Sequence, residues 1–377
     1  MANILYVMKY PLHESYTLKR KFDGQIAALK KMGHKVHYIT FDRDRMYENC
    51  DSKTTLGRKI LLGSIKAYIH TFVFIDIYLT AIGIINKHEI EFVYFRKSPL
   101  GIVGYTFLKK CNQKGIKVIV EIPSYPSKEK PGSLFRAIYG YYSRIWSHFS
   151  NKYVSLFALI GEKSDSYYGH PAINIENGIT VENIPIRKYK ADCRIHMLAL
   201  ASMSYWHGYD RILTSLHECT HPDAKRVIID FVGNEGDGSL QKWKNMTSQL
   251  KLESQVVFHG RLEGEELDKM FDLATIGICS LGLYRLGYET SSILKLREYT
   301  ARGLPFVYAA NDSCINHSLG YAMKVSNNDN PINMGQIIDF ANAVSMDTTL
   351  PLKMRKYAEE SASWESQFLR LQQYFED

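Results

Sequence analysis

The chain has 377 residues, 45% of them hydrophobic and 23% charged. This length exceeds the ~150-residue prior for one domain, and the composition excludes a small stapled scaffold and a disordered or fibrous chain. The six Cys are scattered without a CxxC pair, and no secretory leader pattern follows Met1. We therefore expect no disulfide or zinc framework and a cytoplasmic, reducing location.

The net charge of +8 is distributed unevenly along the chain. Residues 1–175 carry 26 Lys and Arg against 13 Asp and Glu, whereas residues 176–377 carry 21 against 26. One half is thus strongly basic and the other mildly acidic. The basic half is expected to meet an anionic partner, with nucleic acid, anionic lipid and a phosphate-bearing substrate as candidates.

The first half of the chain alternates short apolar runs with helix-like stretches. The predicted elements are strands at 3–9 and 35–40 around a helix that stops at Gly33, and strands at 92–95 and 117–121 around a helix over 100–114. Strand–helix–strand units of this kind predict a parallel sheet with both faces covered.

A second series of the same kind begins near residue 194. It has predicted strands at 196–201, 227–232, 256–258, 275–279 and 304–309, with helices near 209–218 and from about 239. The predicted fold class is therefore α/β, with two doubly wound Rossmann-like domains facing across a cleft. We expect an N-terminal domain over 1–185, a C-terminal domain over 186–360, and a helix over 361–377 that packs back on the first domain.

Two apolar stretches in the basic half have open interpretations. Residues 60–86 contain Lys66, His70 and Asp76, so they lack the clean run needed to span a bilayer, and a buried helix is favoured over membrane contact. Segment 133–153 interleaves seven aromatic residues with three Lys and Arg residues. That pattern fits an interfacial helix on an anionic membrane, and core packing is an equal alternative.

The segment 287–305 contains the most informative pattern for ligand binding. Thr290, Ser291 and Ser292 are good N-cap residues before a helix that ends at Gly303. The free amides of a first helical turn, together with short hydroxyls, suit a phosphate, and Glu298 would suit a ribose if it faces the same ligand. An ordinary capped helix with a surface Glu explains the pattern equally well.

Several segments, in order along the chain, are similar to the motifs of a known enzyme family. KLREYTARGLPFVYA at 295–309 is similar to the element PLKLFEYMAAGLPVV. The supporting segments are GHKVHYIT at 33–40, GIKVIVEIPSYP at 115–126, IENGI at 175–179, SYWHGYDRIL at 204–213 and VVFHGR at 256–261. Together they resemble glycosyltransferase family 4 of the GT-B fold, in particular its bacterial surface-polysaccharide members. The resemblance implies the GT-B fold and transfer of a sugar from a nucleotide diphosphate sugar.

The resemblance implies donor-binding roles for residues of the second domain. Glu298 matches the second Glu of the family's paired glutamates and would contact the ribose, whereas Thr290 stands where the first Glu would be. His207, followed by Gly208, stands in place of the phosphate-binding Lys of a Lys-Gly pair. Arg261, after Gly260, matches the loop that holds the base.

A second departure from the family concerns phosphate binding. Ser202 stands where the family has an Arg and supplies no charge. We expect Lys295 and Arg211 to compensate for it, although both could be solvated helix cations. Bound near a diphosphate, His207 should have a raised pKa.

In the first domain Pro123 stands where family members often have a His. The nearest polar substitutes are Glu121 and Tyr125, which we predict to be catalytic together with His207, while a structural role for Glu121 is equally consistent. Other polar residues nearby are Ser124 and Glu129. For the acceptor, Lys21 and Gln25 form a Lys-x-x-x-Gln pattern that recurs in the similar subgroup.

The resemblance thus implies a retaining hexosyltransferase with a UDP-sugar or GDP-sugar donor. No separate cofactor and no metal are expected, since no DxD-type pair lies in a position to hold one. The acceptor would be a glycan or lipid-diphosphate hydroxyl in bacterial polysaccharide or capsule synthesis. A peripheral position on the inner face of the plasma membrane is the accompanying expectation.

Other classes of protein remain as alternatives. The departures at Pro123, Ser202, His207 and Thr290 would suit a catalytically silent GT-B scaffold or partner protein. A nucleic-acid-binding protein is suggested only by the basic half, which lacks any recognised nucleic-acid motif, so we expect no nucleic-acid partner. A GT-B epimerase would need acid and base residues that these motifs do not show.

Overall fold

The computed structural model describes residues 1–10, 16–42, 45–50, 53–54, 58–59, 73–126, 134–189 and 192–376. The chain divides into two compact units. Unit 1 comprises Met1–Gly178 together with Trp364–Asp377, and unit 2 comprises Ile179–Ser363.

Unit 1 is built around one mostly parallel sheet. Its elements before residue 178 are β1 (Asn3–Val7), α1 (Tyr16–Lys31), β2 (Lys35–Asp42), β3 (Arg45–Cys50), β4 (Lys53–Thr54), β5 (Arg58–Lys59), α2 (Val73–Lys87), β6 (Phe92–Arg96), α3 (Ile102–Gln113), β7 (Lys117–Tyr125), α4 (Leu134–Ser150), β8 (Leu156–Gly161), β9 (Ser166–Tyr167) and β10 (His170–Ile175). The strands β2, β1, β6, β7, β8 and β10 are adjacent in that order and parallel. Strand β3 extends this sheet in the antiparallel direction. The strand order therefore reverses between β1 and β6.

Unit 2 has a fully parallel six-stranded sheet. Its strands and helices are β11 (Ile195–Leu200), α5 (Tyr209–His217), β12 (Val227–Val232), α6 (Ser239–Gln249), β13 (Val256–Gly260), α7 (Gly264–Leu273), β14 (Ile276–Ile278), α8 (Leu294–Arg302), β15 (Phe306–Tyr308), β16 (Ala322–Lys324), α9 (Met334–Ser345) and α10 (Leu350–Tyr357). The spatial order is β13, β12, β11, β14, β15, β16, which is the order of a dinucleotide-binding Rossmann sheet. Here the order reverses between β11 and β14.

The chain ends in two short helices that belong to unit 1, α11 (Trp364–Leu369) and α12 (Gln372–Glu376). Trp364 and Phe368 are buried in one hydrophobic cluster with Tyr6 and Tyr94 of the sheet. The last helices therefore complete the core of the unit that the first residues begin.

The predicted alternation of strands and helices is present, and it follows from the apolar runs. The residues of β1, β6 and β12 are almost all buried, as expected for strands covered on both faces. The second half of the predicted 60–86 helix is α2, which is largely buried; residues 60–72 lie outside the described residues. Within the described residues, no helix combines the length and apolar character needed to cross a bilayer.

Helix α4 is oriented with apolar residues towards solvent. Five large side chains on one stripe, spaced at i, i+3, i+4, i+7 and i+11, are between 40 and 67% exposed: Ile138, Tyr141, Tyr142, Ile145 and Phe149. The side that packs on the rest of unit 1 carries Trp146, which contacts the hydrophobic core, together with serines: the Leu100 amide donates to Ser143 Oγ at 2.8 Å, and Ser150 is fully buried. The exposed stripe is nevertheless more apolar than the solvent side of a surface helix normally is.

Candidate functional site

The loops that follow β11 and β14 meet at the strand-order reversal of unit 2. His207 lies in the first loop and Ser280 in the second, and His207 Nδ1 is 2.8 Å from Ser280 Oγ. The backbones also approach closely at Gly208, where φ is +66° and a Cβ would lie 2.7 Å from the Gly282 nitrogen. Because open α/β sheets bind ligands at this reversal, beyond the carboxyl ends of the strands, these loops form the candidate site of unit 2.

His207 is buried and uncharged. Its ring stacks at 11° and 5.3 Å on Tyr209 and contacts Trp206 at 3.8 Å between centroids. Burial, followed by the neighbouring charge of Lys295, lowers the pKa of His207 to about 2. The imidazole is therefore neutral at physiological pH, and any contact with an anion would be a hydrogen bond from its N–H group.

Lys295, in the first turn of α8, supplies a positive charge beside His207. Its Nζ atom donates to the Tyr209 hydroxyl at 3.0 Å. Burial lowers the pKa of Lys295 to about 8, so the ammonium group remains mostly charged at pH 7. The structure thus brings together two residues that the sequence predicted, His207 and Lys295, and adds Tyr209 and Ser280, which sequence analysis missed.

Helix α8 begins later than the sequence predicts. Its first residue is Leu294, and Ile293 rather than one of the three hydroxyl residues precedes it, without a side-chain cap. The Ile293 amide donates to Asp312 Oδ2 at 3.3 Å, a contact to the residue before the helix rather than to the second or third helical amide that an N-cap side chain would bind. Asp312 in turn forms a fully buried bidentate pair with Arg297, which fixes the start of the helix.

The three predicted hydroxyl residues form an extended segment before α8. Thr290 pairs with Asn311 in an isolated parallel bridge, and the Ser291 amide donates to the Asn311 carbonyl at 2.8 Å. Ser291 Oγ is buried and has no hydrogen-bond partner within the described part of the chain. Thr290, Ser291 and Ser292 are all half-buried, so the entry to α8 is neither sealed in the core nor fully solvated.

Glu298 lies one turn beyond Lys295 on α8. The spacing of Lys295, Glu298 and Arg302 places them on one helix face. Arg302 Nε is 3.3 Å from Glu298 Oε1, and its Nη1 donates to Asp268 Oδ1 at 2.6 Å. Glu298 is 9% exposed. Its carboxylate is therefore close to the predicted phosphate-binding residues and also bound to a cation of its own helix.

Two other predicted cations of unit 2 differ in their surroundings. Arg211 was expected to help bind phosphate, but its guanidinium donates to the carbonyls of Leu281, Ser326 and Asn330, which gives it a structural role. Arg261 follows β13, is exposed, and binds Glu263 with an Nε–Oε1 distance of 2.9 Å. The predicted contact of Arg261 with a base stays a prediction.

In unit 1, the predicted residues Glu121, Lys21 and Gln25 form one buried network. Lys21 Nζ is 2.9 Å from Glu121 Oε1, and Gln25 Nε2 donates to Oε2 at 2.6 Å. Tyr94 also donates to Oε2 at 2.8 Å, and Lys21 donates to Asn177 Oδ1 at 2.8 Å. Sequence analysis missed these last two residues, although Tyr94 lies on β6, beside the strand-order reversal of this sheet.

The electrostatics of this network fix Glu121 as an anion. Burial alone would raise the pKa of Glu121, but the charges of Lys21 and Arg96 and the hydrogen bonds from Lys21 and Gln25 lower it to about 2. Burial lowers the pKa of Lys21 to about 8. Glu121 therefore cannot donate a proton at neutral pH, and both of its oxygens already accept hydrogen bonds.

Tyr125, the remaining predicted catalytic residue, lies at the end of β7 in an aromatic cluster. Its ring packs edge-on against Tyr167 at 5.8 Å, and the Tyr167 ring lies 4.9 Å from the ammonium group of Lys97. Tyr125 is half-buried and Lys97 is exposed. A cation beside aromatic rings at the carboxyl ends of β6 and β7 is a surface on which a sugar or a phosphate could pack.

No family model matches the chain, and no curated protein matches it significantly in sequence. Solved structures do match it over its whole length. HepE of Anabaena in complex with UDP is 12% identical, with a TM-score of 0.61 and 100% of both chains covered. A glycosyltransferase from Rickettsia africae ESF-5, at 14% identity, and sucrose-phosphate synthase from Thermosynechococcus elongatus, at 12%, each have a TM-score of 0.66 over 100% of this chain and 98% of theirs.

At such low identity the matches establish the fold and nothing beyond it. Their common architecture is that of the GT-B glycosyltransferases, which also agrees with the two parallel sheets of this chain. The predicted GT-B fold is therefore confirmed, whereas membership of family 4 stays a prediction.

Proposed function

We propose that this protein is a glycosyltransferase that moves a sugar from a nucleotide diphosphate sugar to an acceptor hydroxyl. The observation that carries the proposal is the group of Lys295, Tyr209 and His207 at the strand-order reversal of unit 2, beside the start of α8. This group offers one positive charge and oriented donors where a Rossmann sheet binds its ligand. Neighbours of the same fold include HepE, which was solved with UDP-glucose.

Unit 2 would bind the donor. Lys295 and the amides at the start of α8 would contact the diphosphate, with Ser291 and Ser292 hydroxyls beside them. His207 bonds Ser280 through Nδ1, and its ring also hydrogen-bonds the Ser202 backbone, so we propose that it fixes the loop after β11 beside the same phosphates. We further propose that Glu298 contacts the ribose of the nucleotide sugar and that Arg261 contacts its base. Thr290 and Gly208 would lie at the edge of the same site.

The transfer step we propose is retaining and needs no metal. Departure of the nucleoside diphosphate builds negative charge while the sugar becomes oxocarbenium-like. Lys295 and the donors fixed around it would stabilise that charge, and preorganised donors of this kind contribute about 3–4 kcal/mol each in enzymes where one was removed. The UDP-sugar or GDP-sugar is consumed as a substrate, so no separate cofactor is proposed.

Unit 1 would bind the acceptor, with Glu121 in a supporting role. Because Glu121 is anionic and fully hydrogen-bonded, we propose that it fixes Lys21 and Gln25 rather than transferring a proton. Tyr125, with Lys97 and Tyr167, would provide the surface that the acceptor contacts.

We propose that the acceptor is a glycan or lipid-diphosphate at an anionic membrane surface, as in bacterial polysaccharide synthesis. The exposed apolar stripe of α4 supports this, because contiguous exposed apolar residues mark interaction surfaces. Segments 97–120 and 134–155 together contain eight Lys and Arg and no Asp or Glu. Apolar rings beside cations without acidic neighbours suit insertion among anionic headgroups.

Nucleotide binding is the first test of the transfer proposal. Calorimetric titration with UDP, GDP, ADP and CMP should identify one preferred nucleotide, and its nucleotide sugars should be hydrolysed or transferred above background. Lys295→Met should weaken the preferred nucleotide about 10–100-fold, the equivalent of one charge-assisted hydrogen bond. Lys269→Met, on the exposed face of α7, is the matched control and should change nothing.

The results separate the competing functions. A nucleotide that binds without any turnover of its sugars would identify a catalytically silent protein of the same fold. Equal affinity in the Lys295→Met and wild-type proteins would show that the phosphate site is elsewhere.

Vesicle flotation tests the membrane part independently. Wild-type protein should float with anionic vesicles and less with neutral ones, and the double variant Ile145→Asp with Phe149→Asp should lose flotation. Leu352→Asp, an exposed leucine of α10, is the control. Equal recovery on neutral vesicles at low salt would contradict the electrostatic contribution, and unchanged flotation of the double variant would exclude α4 as the docking face.

A further inference from the structure

A second group of ligand-type side chains lies in unit 1, outside the proposed sugar-transfer machinery. His37 is on β2, Glu48 is on β3, and His88 directly follows α2. One ligand atom from each of the three residues lies within 4.8 Å of the others. Two imidazoles and a carboxylate form the His₂Glu set that binds zinc with an open fourth position.

The fold explains how three distant residues converge. In the antiparallel pairing of β2 with β3, Ile39 is opposite Glu48, so His37 and Glu48 are diagonal neighbours on one face of the sheet. Helix α2 packs against both strands, and its C-terminal end places His88 over that face. The two imidazole rings are 4.5 Å apart between centroids.

Both imidazoles approach the same carboxylate oxygen. His37 Nδ1 forms a hydrogen bond with Glu48 Oε1 at 3.3 Å, a separation that also equals the ~3.3 Å edge of a tetrahedron with metal–ligand bonds of about 2.0–2.1 Å. His88 Nε2 is 2.6 Å from the same oxygen, and among the described residues this buried nitrogen has no hydrogen-bond partner of acceptable geometry. A shift of the His88 ring by several tenths of an ångström would therefore let all three ligand atoms bind one ion.

Metal binding would require both imidazoles to be neutral. Two cations are nearby: Lys35 adjoins His37, and Lys87 Nζ is 3.4 Å from Glu48 Oε2. Lys87 is mostly exposed and contacts the other carboxylate oxygen, so it can move away at little cost.

We propose that His37, Glu48 and His88 bind a divalent ion of the zinc type, which fastens the β2–β3 hairpin to the end of α2. The group lies towards the amino end of β2, whereas ligands of such sheets bind beyond the carboxyl ends. The ion would therefore stabilise unit 1 without taking part in sugar transfer. Its binding can be tested whether or not the proposed transfer activity is correct.

Zinc titration of chelator-treated protein provides the test. Wild-type protein should bind one equivalent of Zn²⁺, and Co²⁺ should give the visible absorption of a tetrahedral site. Glu48→Gln and His88→Gln should each weaken Zn²⁺ more than ~100-fold, since loss of an outer-shell partner alone typically costs 10–100-fold. His217→Gln is the matched control, because His217 is an exposed histidine of unit 2.

Thermal unfolding and circular dichroism complete the experiment. Zn²⁺ should raise the melting temperature of the wild-type and His217→Gln proteins but not of the two ligand variants, which circular dichroism should show to be folded. If one ligand variant fails to fold, the other decides. No stoichiometric binding by the wild type, or equal affinity in a folded ligand variant, would overturn the proposal and leave Glu48 as a hydrogen-bond acceptor between two imidazoles.

Discussion

Two lysines, the buried Lys21 of unit 1 and the half-buried Lys295 of unit 2, have opposite surroundings. Burial lowers the pKa of both Lys21 and Lys295 to about 8. Lys21 is 2.9 Å from the carboxylate of Glu121, whereas the Lys295 ammonium donates to the neutral hydroxyl of Tyr209 at 3.0 Å. The charge of Lys21 is thus neutralised inside the protein, while Lys295 retains its positive charge for an anionic ligand.

This difference separates a structural ion pair from a binding group. A buried pair stabilises little overall, but removal of one partner leaves an uncompensated charge in the interior. A desolvated cation without a carboxylate costs stability in the free protein, a cost that function can explain. Variants of the two lysines should therefore have opposite effects on folding and on nucleotide binding.

The largest change in the free energy of unfolding is expected from Lys21→Met. Glu121 would remain fully buried without its ion-pair partner, with Arg96 as the remaining neighbouring cation, so the free energy of unfolding should fall by about 3–5 kcal/mol in urea denaturation. The double variant Lys21→Met with Glu121→Gln should recover much of this loss, because the unpaired carboxylate is removed as well. A double variant as unstable as the single one would contradict the ion-pair explanation.

A surface pair on the same helix provides the matched control. Lys19 binds Asp23 at 2.7 Å, with both side chains more than 40% exposed. Exposed pairs contribute about 0.2–1 kcal/mol, so Lys19→Met should lower stability by no more than that. Comparing Lys19→Met with Lys21→Met separates the effect of burying the ion pair from the effect of losing a lysine side chain.

The second prediction concerns acid unfolding. Glu121 has a folded-state pKa lowered to about 2 from an ordinary value of 4.5. The unfolded chain therefore binds more protons between these values, and stability is fully present above pH 4.5 and is lost as the pH falls through about 2. In Glu121→Gln, unfolding free energies measured from pH 5 to 2 should show a shallower decline than in the wild type. If the unfolding free energy falls with pH equally steeply in both proteins, Glu121 does not contribute to acid unfolding.

Most of the architecture was predictable because apolar runs are strong local signals. The apolar sequences of β1, β6, β7 and β12 predict buried parallel strands between helices. The β2–β3 hairpin was not predicted, because Met46, Tyr47 and Glu48 form no clear alternating run and the pairing depends on the neighbouring sheet. The C-terminal helices were seen only as one segment, since their packing depends on distant residues.

The candidate site was only partly predictable because its contacts join distant segments. Lys295 and His207 were found from motif positions, but the partner of each comes from another loop or strand end. Helix α8 starts at Leu294 rather than directly after the hydroxyl residues, and the Asp312 side chain that binds the preceding Ile293 amide comes from a distant loop, which no local pattern encodes. Ser280 was detectable in principle, since it follows a buried strand at its carboxyl end.

The third prediction uses pH to test whether the charge of Lys295 contributes to nucleotide affinity. Its folded-state pKa of about 8 means that the ammonium charge is present below pH 8 and is lost as the pH rises through that value. Nucleotide affinity measured by calorimetry should therefore fall between pH 7 and 10, where the terminal phosphate is already ionised. Lys295→Arg should bind with little pH dependence over this range, because arginine stays charged.

The contrast with Lys21 predicts the effect of Lys295→Met on stability. Removal of a desolvated cation without a carboxylate partner should leave the free energy of unfolding unchanged or higher at pH 7. Because burial lowers the folded-state pKa of His207 to about 2 from 6.5, only the unfolded chain takes up this proton between those values, so His207 should make stability decline as the pH falls below about 6.5. A marked loss of stability in Lys295→Met would show that its bond to Tyr209 is structural.

The smallest change in nucleotide affinity is expected from Glu298→Gln. A ribose hydroxyl bound to this carboxylate is one hydrogen bond among many, so nucleotide affinity should fall about 2–10-fold. Glu359→Gln is the matched control, because Glu359 pairs with Arg355 four residues away, as Glu298 does with Arg302. It should leave affinity unchanged.

Ribose contact and helix stabilisation make different predictions for nucleotides that lack one ribose hydroxyl. If Glu298 accepts a hydrogen bond from the ribose, the loss in Glu298→Gln should disappear for the deoxynucleotide that lacks the bonded hydroxyl. The four affinities form a double-mutant cycle whose coupling energy measures that contact alone. If Glu298 only fixes Arg302, the variant weakens normal and deoxy nucleotides by the same factor, and the ribose assignment is wrong.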